Sequence, residues 1–153
     1  MAEYSTKLFG NIAIDETNDY EFFHVNYKDN KISILLNECN IGNKIEACLE
    51  ILDKYVEINQ MAKRAIISNF PENEIIKNYF KIYMKIDIKN FSDLDIKMTL
   101  EKLEYPDLYF ENNDGKIELS VKYKFSKKYP ADVLAVKMDE QLNLLEFLNE
   151  YMF

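Results

Sequence analysis

One histidine, His24, and two cysteines, Cys39 and Cys48, are the main reactive side chains available to this 153-residue chain. A thiol enzyme would pair one of the cysteines with His24 and hold its thiolate in an electropositive setting. Cys48 instead falls on the apolar side of a helical stretch, where a small buried thiol is the ordinary occupant. The cysteines stand nine apart with no second pair, which reads as two reduced thiols rather than a disulfide framework. With no second histidine to complete a ligand set, no metal site is expected.

Carboxylates in pairs are more plentiful: Asp15/Glu16, Glu72/Glu74, Asp93/Asp95, Glu101/Glu104 and Asp139/Glu140. General acid–base chemistry needs one member of such a pair in an apolar pocket that shifts its pKa. Pairs like these ordinarily lie on solvated faces or at helix starts, and Asp93 and Asp95 suit a first turn facing the helix dipole. Asn112-Asn113-Asp114-Gly115 is too short for a calcium loop and reads as a turn. Three glycines in the whole chain nearly exclude a glycine-rich phosphate loop. No catalytic residue and no cofactor is expected.

Charge is the more informative property. The formal net charge is −8, and the bases are eighteen lysines and one arginine, Arg64. Residues 1–76 carry about −6 of that charge and the remainder about −2. Such a surface repels phosphate backbones and attracts basic partners. Lys122, Lys124, Lys127 and Lys128 form the one basic cluster, but strand alternation sends Tyr123 and Phe125 to the opposite face. Charge and aromatic stacking therefore do not share a surface, and nucleic acid is not expected as a partner. The abundant Ile, Asn, Tyr, Phe and Lys fit an AT-rich bacterial coding sequence, so aromatic content is not a functional signal here. Met1-Ala2-Glu3-Tyr4 has neither a basic nor an apolar leader segment. No uncharged apolar run nears the roughly 20 residues that span a bilayer. The expectation is a cytoplasmic protein without membrane contact.

These residues must be positioned by a single α+β domain over residues 1–153, long enough to bury a core without disulfides. Three amino-terminal strands are expected, over Lys7–Ile14, Phe22–Tyr27 and Ile32–Leu36. The last two are joined by a tight turn at Asp29-Asn30. Asn43-Lys44-Ile45-Glu46 resembles a capping box. Ile45, Cys48, Leu49, Leu52, Tyr55, Val56, Ala62 and Ile66 then follow one long helical face. Pro71 ends that element or opens the next, whose face is Ile75, Ile76, Tyr79, Phe80 and Tyr83, with Lys77, Lys81 and Lys85 on another side. Ser92-Asp93-Leu94-Asp95 starts a third helix running to about Leu103, so two to three central helices are expected. A carboxyl-terminal antiparallel meander follows: Leu108–Glu111, a turn at Asn113-Asp114-Gly115, the alternating strand Ile117–Phe125, and Ala131–Met138. The alternation places Lys122 and Lys124 in water. From Leu142 the pattern fits either a helix or, with 139–143 as a hairpin loop, a last strand.

Leu8-Phe9-Gly10, Asn78-Tyr79-Phe80, and Leu108-Tyr109-Phe110 followed by Asp114-Gly115 and the Ile117–Phe125 strand resemble a loose group of small bacterial domains of unknown function. That group often accompanies polymorphic toxins. The resemblance implies an immunity-type α+β protein that acts by binding, with no catalytic motif. Composition leans the same way. The expected function is a non-catalytic binding protein that occludes a basic bacterial toxin. A regulatory or scaffold protein with another protein partner stands second, and an enzyme third. The partner-binding residues expected are Asp15, Glu16, Asp19 and Glu21 in the first connection, with Glu72 and Glu74 at the helix junction.

Overall fold

A computed structural model of the chain describes residues 1–39, 43–83, 92–101, 103, 105–124 and 132–151, the side chains of 43, 83, 93 and 151 excepted. Among these residues the fold is α+β. The strands are β1 (Ala2–Thr6), β2 (Gly10–Ile14), β3 (Tyr20–Tyr27) and β4 (Asn30–Asn37). The helices α1 (Asn43–Leu52), α2 (Tyr55–Asn69), α3 (Glu74–Tyr83) and α4 (Asp93–Glu101) come next. The chain closes with β5 (Asp107–Asn113), β6 (Lys116–Tyr123), β7 (Asp132–Asp139) and β8 (Leu144–Tyr151). Lys85, Lys127, Lys128, Glu104, Phe125 and Ala131, which the sequence reading used, lie outside the described residues.

A six-stranded sheet in the order β3-β4-β5-β6-β7-β8 forms the body, and β1 and β2 make a separate hairpin. All neighbours in the sheet are antiparallel except β4 and β5, which run parallel. A parallel pair needs a long crossover, and the four helices between β4 and β5 supply it. Across the sheet, Ile34, Leu108, Val121 and Val136 lie on one face and are fully buried. That face joins Leu52, Ile58, Ala62 and Ile66 of the helices, and Ile12 and Ile14 of the hairpin, in one core cluster. The helices therefore cover one face, with α2 against β6 and β7 and α3 against β8.

Several sequence expectations change. The strand expected over 7–14 begins only at Gly10, because Lys7, Leu8 and Phe9 form the turn of a hairpin whose first strand is Ala2–Thr6. Thr6 Oγ1 donates to the Gly10 carbonyl at 2.7 Å and accepts the Phe9 N–H at 3.0 Å. Gly10 takes φ +72°, a conformation glycine adopts without strain. The long helical face is shared by two helices, so the central helices number four among the described residues rather than two to three. The break falls at Asp53-Lys54, where Asp53 Oδ1 accepts the N–H groups of Lys7 and Leu8 at 2.9 and 3.0 Å. The β3–β4 hairpin turn is one residue earlier than expected, with positive φ at Lys28 and Asp29 and Tyr27 opposite Asn30.

Other expectations hold. Ser92 and Asp95 form a reciprocal capping box. The Ser92 N–H donates to Asp95 Oδ2 at 2.9 Å and the Asp95 N–H to Ser92 Oγ at 3.2 Å. Asp114 and Gly115 make the tight turn between β5 and β6 with φ of +51° and +87°. Of the two readings open for the tail, the strand is the one formed (β8), and Asp139 Oδ1 accepts the N–H groups of Gln141 and Asn143 at 3.0 and 2.8 Å to close its hairpin loop.

Candidate functional site

The face of the sheet turned away from the helices carries most of the polar chemistry. Lys122, expected in water, is only 4 % exposed. Its ammonium lies 3.1 Å from Glu150 on β8 and 4.8 Å from the centre of the Tyr109 ring on β5. Because β7 separates β6 from β8, the Lys122–Glu150 pair lies across β7, where Val133 and Ala135 are fully buried. Lys137 of β7 reaches Glu111 at 3.0 Å, Glu118 at 3.5 Å and Glu146 at 4.0 Å, carboxylates on three different strands. Burial works against the Lys137 charge, but the hydrogen bond and charge of Glu111, with Glu118 and Glu146, raise its pKa above the ordinary lysine value. Strand β6 is thus dry on both faces, and simple alternation missed this.

At one end of this face a row of side chains crosses four strands. His24 of β3 is opposite Ser33 of β4, and Asp107 of β5 is opposite Lys122 of β6. Ser33 Oγ lies 3.2 Å from His24 Nδ1, and the Ser33 N–H donates to Asp107 Oδ1 at 2.8 Å. With Lys31, Lys124 and Tyr105 these residues line a cavity of about 210 Å³. Only His24, Lys122 and Lys124 stood out in the sequence. Their meeting depends on β4 and β5 pairing in parallel, which no local pattern specifies.

A second cavity of about 440 Å³ runs between α2 and α4, lined by Lys63, Arg64, Lys97, Leu100 and Glu101 among others. Burial lowers the pKa of Lys63, against the opposing charge of Glu101. Next to it, Tyr27, Tyr55 and Tyr105 pack edge-on or tilted, with centroids 5.1–6.4 Å apart. The Tyr55 hydroxyl donates to the Pro106 carbonyl at 2.6 Å, and burial raises its pKa strongly.

The residues expected to meet a partner fall at two places. Asp15 accepts the Thr17 N–H at 2.9 Å, the Thr17 hydroxyl at 2.6 Å and the Asn18 amide at 2.9 Å. The side-chain and backbone hydrogen bonds from Thr17 hold its carboxyl below the ordinary aspartate pKa. Glu16 accepts a hydrogen bond from the Tyr4 hydroxyl, which raises the pKa of that phenol. The Asp19 carbonyl accepts the Glu38 N–H at 2.6 Å. Hydrogen bonds thus hold this connection at both ends and in its middle. Glu21 lies within β3, half-buried opposite Leu36, rather than in the loop. Beside it, Tyr20 and Phe22 are 54 % and 43 % exposed. Phe22 packs edge-on to His24 with centroids 4.9 Å apart.

Glu72 and Glu74 lie where α2 passes to α3. Glu74 pairs with Lys77 at 2.8 Å, and Asn73 Oδ1 accepts the Ile76 N–H at 3.0 Å to cap the helix. Helix α3 packs on β8, one edge of the sheet, whereas the Asp15–Glu21 group adjoins β3, the other edge. The fold therefore does not gather the two acidic groups into one surface.

His24 and the cysteines do not meet. Cys39 and Cys48 are buried in the core cluster on the helix side, and His24 is exposed on the other face. Cys39 Sγ donates to the Asn37 carbonyl at 3.3 Å, and the neighbouring Cys39 thiol together with burial raises the pKa of Cys48. Among the described residues no group of three His, Cys, Asp or Glu side chains is placed to hold a metal ion. No described helix is long and apolar enough to cross a membrane.

Fold and surface together define an α+β protein with one sheet face covered by helices and the other carrying ion pairs among apolar side chains. Compared with family models, curated proteins and solved structures, the chain matches none.

Proposed function

We propose that this protein works by binding, as an immunity-type protein that occludes a basic protein partner such as a bacterial toxin domain. One observation carries the reading. Strand β3 is an edge of the sheet and displays Tyr20 and Phe22 on one face, while Asp15, Glu16 and Asp19 lie in the connection that leads into it and Glu21 is half-buried on its other face. Exposed aromatic anchors with a charged rim are the usual composition of a protein-binding patch. An edge strand also offers unpaired backbone groups to a partner strand. The excess of acid selects a basic partner and speeds its approach. The hydrogen bonds that fix the Asp15–Asp19 connection reduce the ordering cost of binding.

The test is a binding measurement with the product of the adjacent gene, together with protection of cells that express it. Glu16→Gln with Asp19→Asn slows association about tenfold at low salt and flattens its salt dependence, leaving dissociation nearly unchanged. Tyr20→Ala with Phe22→Ala speeds dissociation and removes protection, at a cost of about 2 kcal/mol or more in binding. Wild-type rates in both folded variants would move the interface away from β3.

A further inference from the structure

The cavity at the His24 end of the open sheet face has a composition opposite to that of the molecule. The chain carries −8, yet among the described residues Lys31, Lys122 and Lys124 line this cavity with one carboxylate, Asp107, while Glu150 pairs with Lys122 from outside the lining. Asp107 already accepts the Ser33 N–H at 2.8 Å and stands opposite Lys122 on the neighbouring strand. Lys122 is held at the floor by Glu150 and the Tyr109 ring, so one ammonium is fixed in a place with little water. Lys31 and Lys124 are exposed at the rim, and neither forms an ion pair with a carboxylate among the described residues. The Ser33 hydroxyl and the His24 imidazole line the same space and lie 3.2 Å from each other. They add a hydroxyl and a ring nitrogen to the lysines.

From this arrangement we infer that the cavity is a binding site for a phosphate-class oxyanion, either inorganic phosphate or the terminal group of a phosphomonoester. Ammonium groups on several sides, with a hydroxyl and an imidazole to orient the oxygens, are what a tetrahedral oxyanion requires. The volume of about 210 Å³ equals some seven waters at roughly 30 Å³ each, room for one phosphate group and part of its hydration. The chain's net charge of −8 disfavours a polyanion such as nucleic acid, which favours a small ligand. Strands β3 to β6 supply the lining side chains His24, Ser33, Asp107 and Lys122, so the site is built on the rigid part of the fold. Lys31 and Lys124 attract the ion, and Lys122 and Ser33 receive it. This inference is independent of the partner proposed for the β3 edge.

His24 is the only histidine, so its ring signals in NMR report on the site without assignment ambiguity. Inorganic phosphate is titrated at constant ionic strength, followed by pyrophosphate and glycerol phosphate. Saturable shifts of the His24 ring signals are expected. Lys31→Gln with Lys124→Gln weakens binding about tenfold or more without changing the melting temperature. The control pair Lys7→Gln with Lys116→Gln, which changes the net charge equally, leaves the affinity within about twofold. Saturation by inorganic phosphate alone assigns the free ion, and tighter binding of glycerol phosphate assigns the ester. Shifts that stay linear with every probe would overturn the site. So would equal weakening by the control pair, which would mark a general charge effect.

Discussion

Lys122 sits in a nearly dry position, with Glu150 at 3.1 Å and the Tyr109 ring 4.8 Å from its Nζ. The lysine stem also fills space over β7, so losing the charge and losing the packing are separable effects. Lys122→Met keeps the stem and leaves Glu150, itself partly exposed, free to turn to water, and costs about 1–2 kcal/mol. Lys122→Glu sets two carboxylates together in a poorly solvated place and costs about 3–5 kcal/mol. Lys124→Glu, two residues further along and exposed, stays within about 0.5 kcal/mol. Urea unfolding of the three variants checks the ranking, and equal losses at 122 and 124 would refute the burial of Lys122. The alternation of residues 117–123 correctly assigns Lys122 to the polar side of its strand. Its burial depends on Glu150, twenty-eight residues away in a tail whose sequence fits helix or strand.

At the scale of elements, the junction of α1 and α2 shows why local periodicity merged two helices. Buried positions continue across the break, from Leu49 and Leu52 to Tyr55 and Ile58, because both helices face the same core. What divides them is Asp53, whose carboxylate receives two N–H groups from the turn of the amino-terminal hairpin. Asp53→Ala strips those donors of their partner and costs about 1–2 kcal/mol. Hydrogen exchange locates the effect, with the Lys7 and Leu8 amides exchanging faster while the β5–β6 ladder stays protected. Speeding in the ladder but not at Lys7 and Leu8 would overturn this role. Ser92→Ala acts differently, costing about 1 kcal/mol through a cap confined to α4. That cap was legible because its partners are three residues apart. The Asp53 contact spans 46 residues and leaves no local trace.

Over the whole molecule, acid weakens the fold through aspartates that hold turns and caps. Asp15, Asp95 and Asp139 all have carboxyl pKa values below the ordinary 3.8, each because it accepts hydrogen bonds from its own turn or cap. A pKa depressed on folding adds stability that is present above the unfolded value and lost as pH falls through the folded one. Stability should therefore decline below about pH 4, and the combined Asp15→Asn, Asp95→Asn and Asp139→Asn variant should be less stable at pH 7 but lose less between about pH 4 and pH 2. Thermal melting across that range tests it, and an unchanged acid slope in the variant would sink the assignment. Lys137 has the opposite sign, since its raised pKa adds stability present below the ordinary lysine value of 10.5 and lost as pH rises past the folded one. The sequence by itself determined the α+β class, the acidic character, the tight turn at Asp114-Gly115 and the cap at Ser92, because each depends on composition or on residues a few positions apart. Only the tertiary structure decided that the tail is a strand, that Lys122 is buried and that His24 lines a cavity with Lys122 rather than meeting a cysteine. Those outcomes rest on the parallel pairing of β4 with β5 across the helices, and on the edge pairing of β7 with β8. Side chains far apart in the chain share a surface only after such pairings form, so no local pattern announces their meeting.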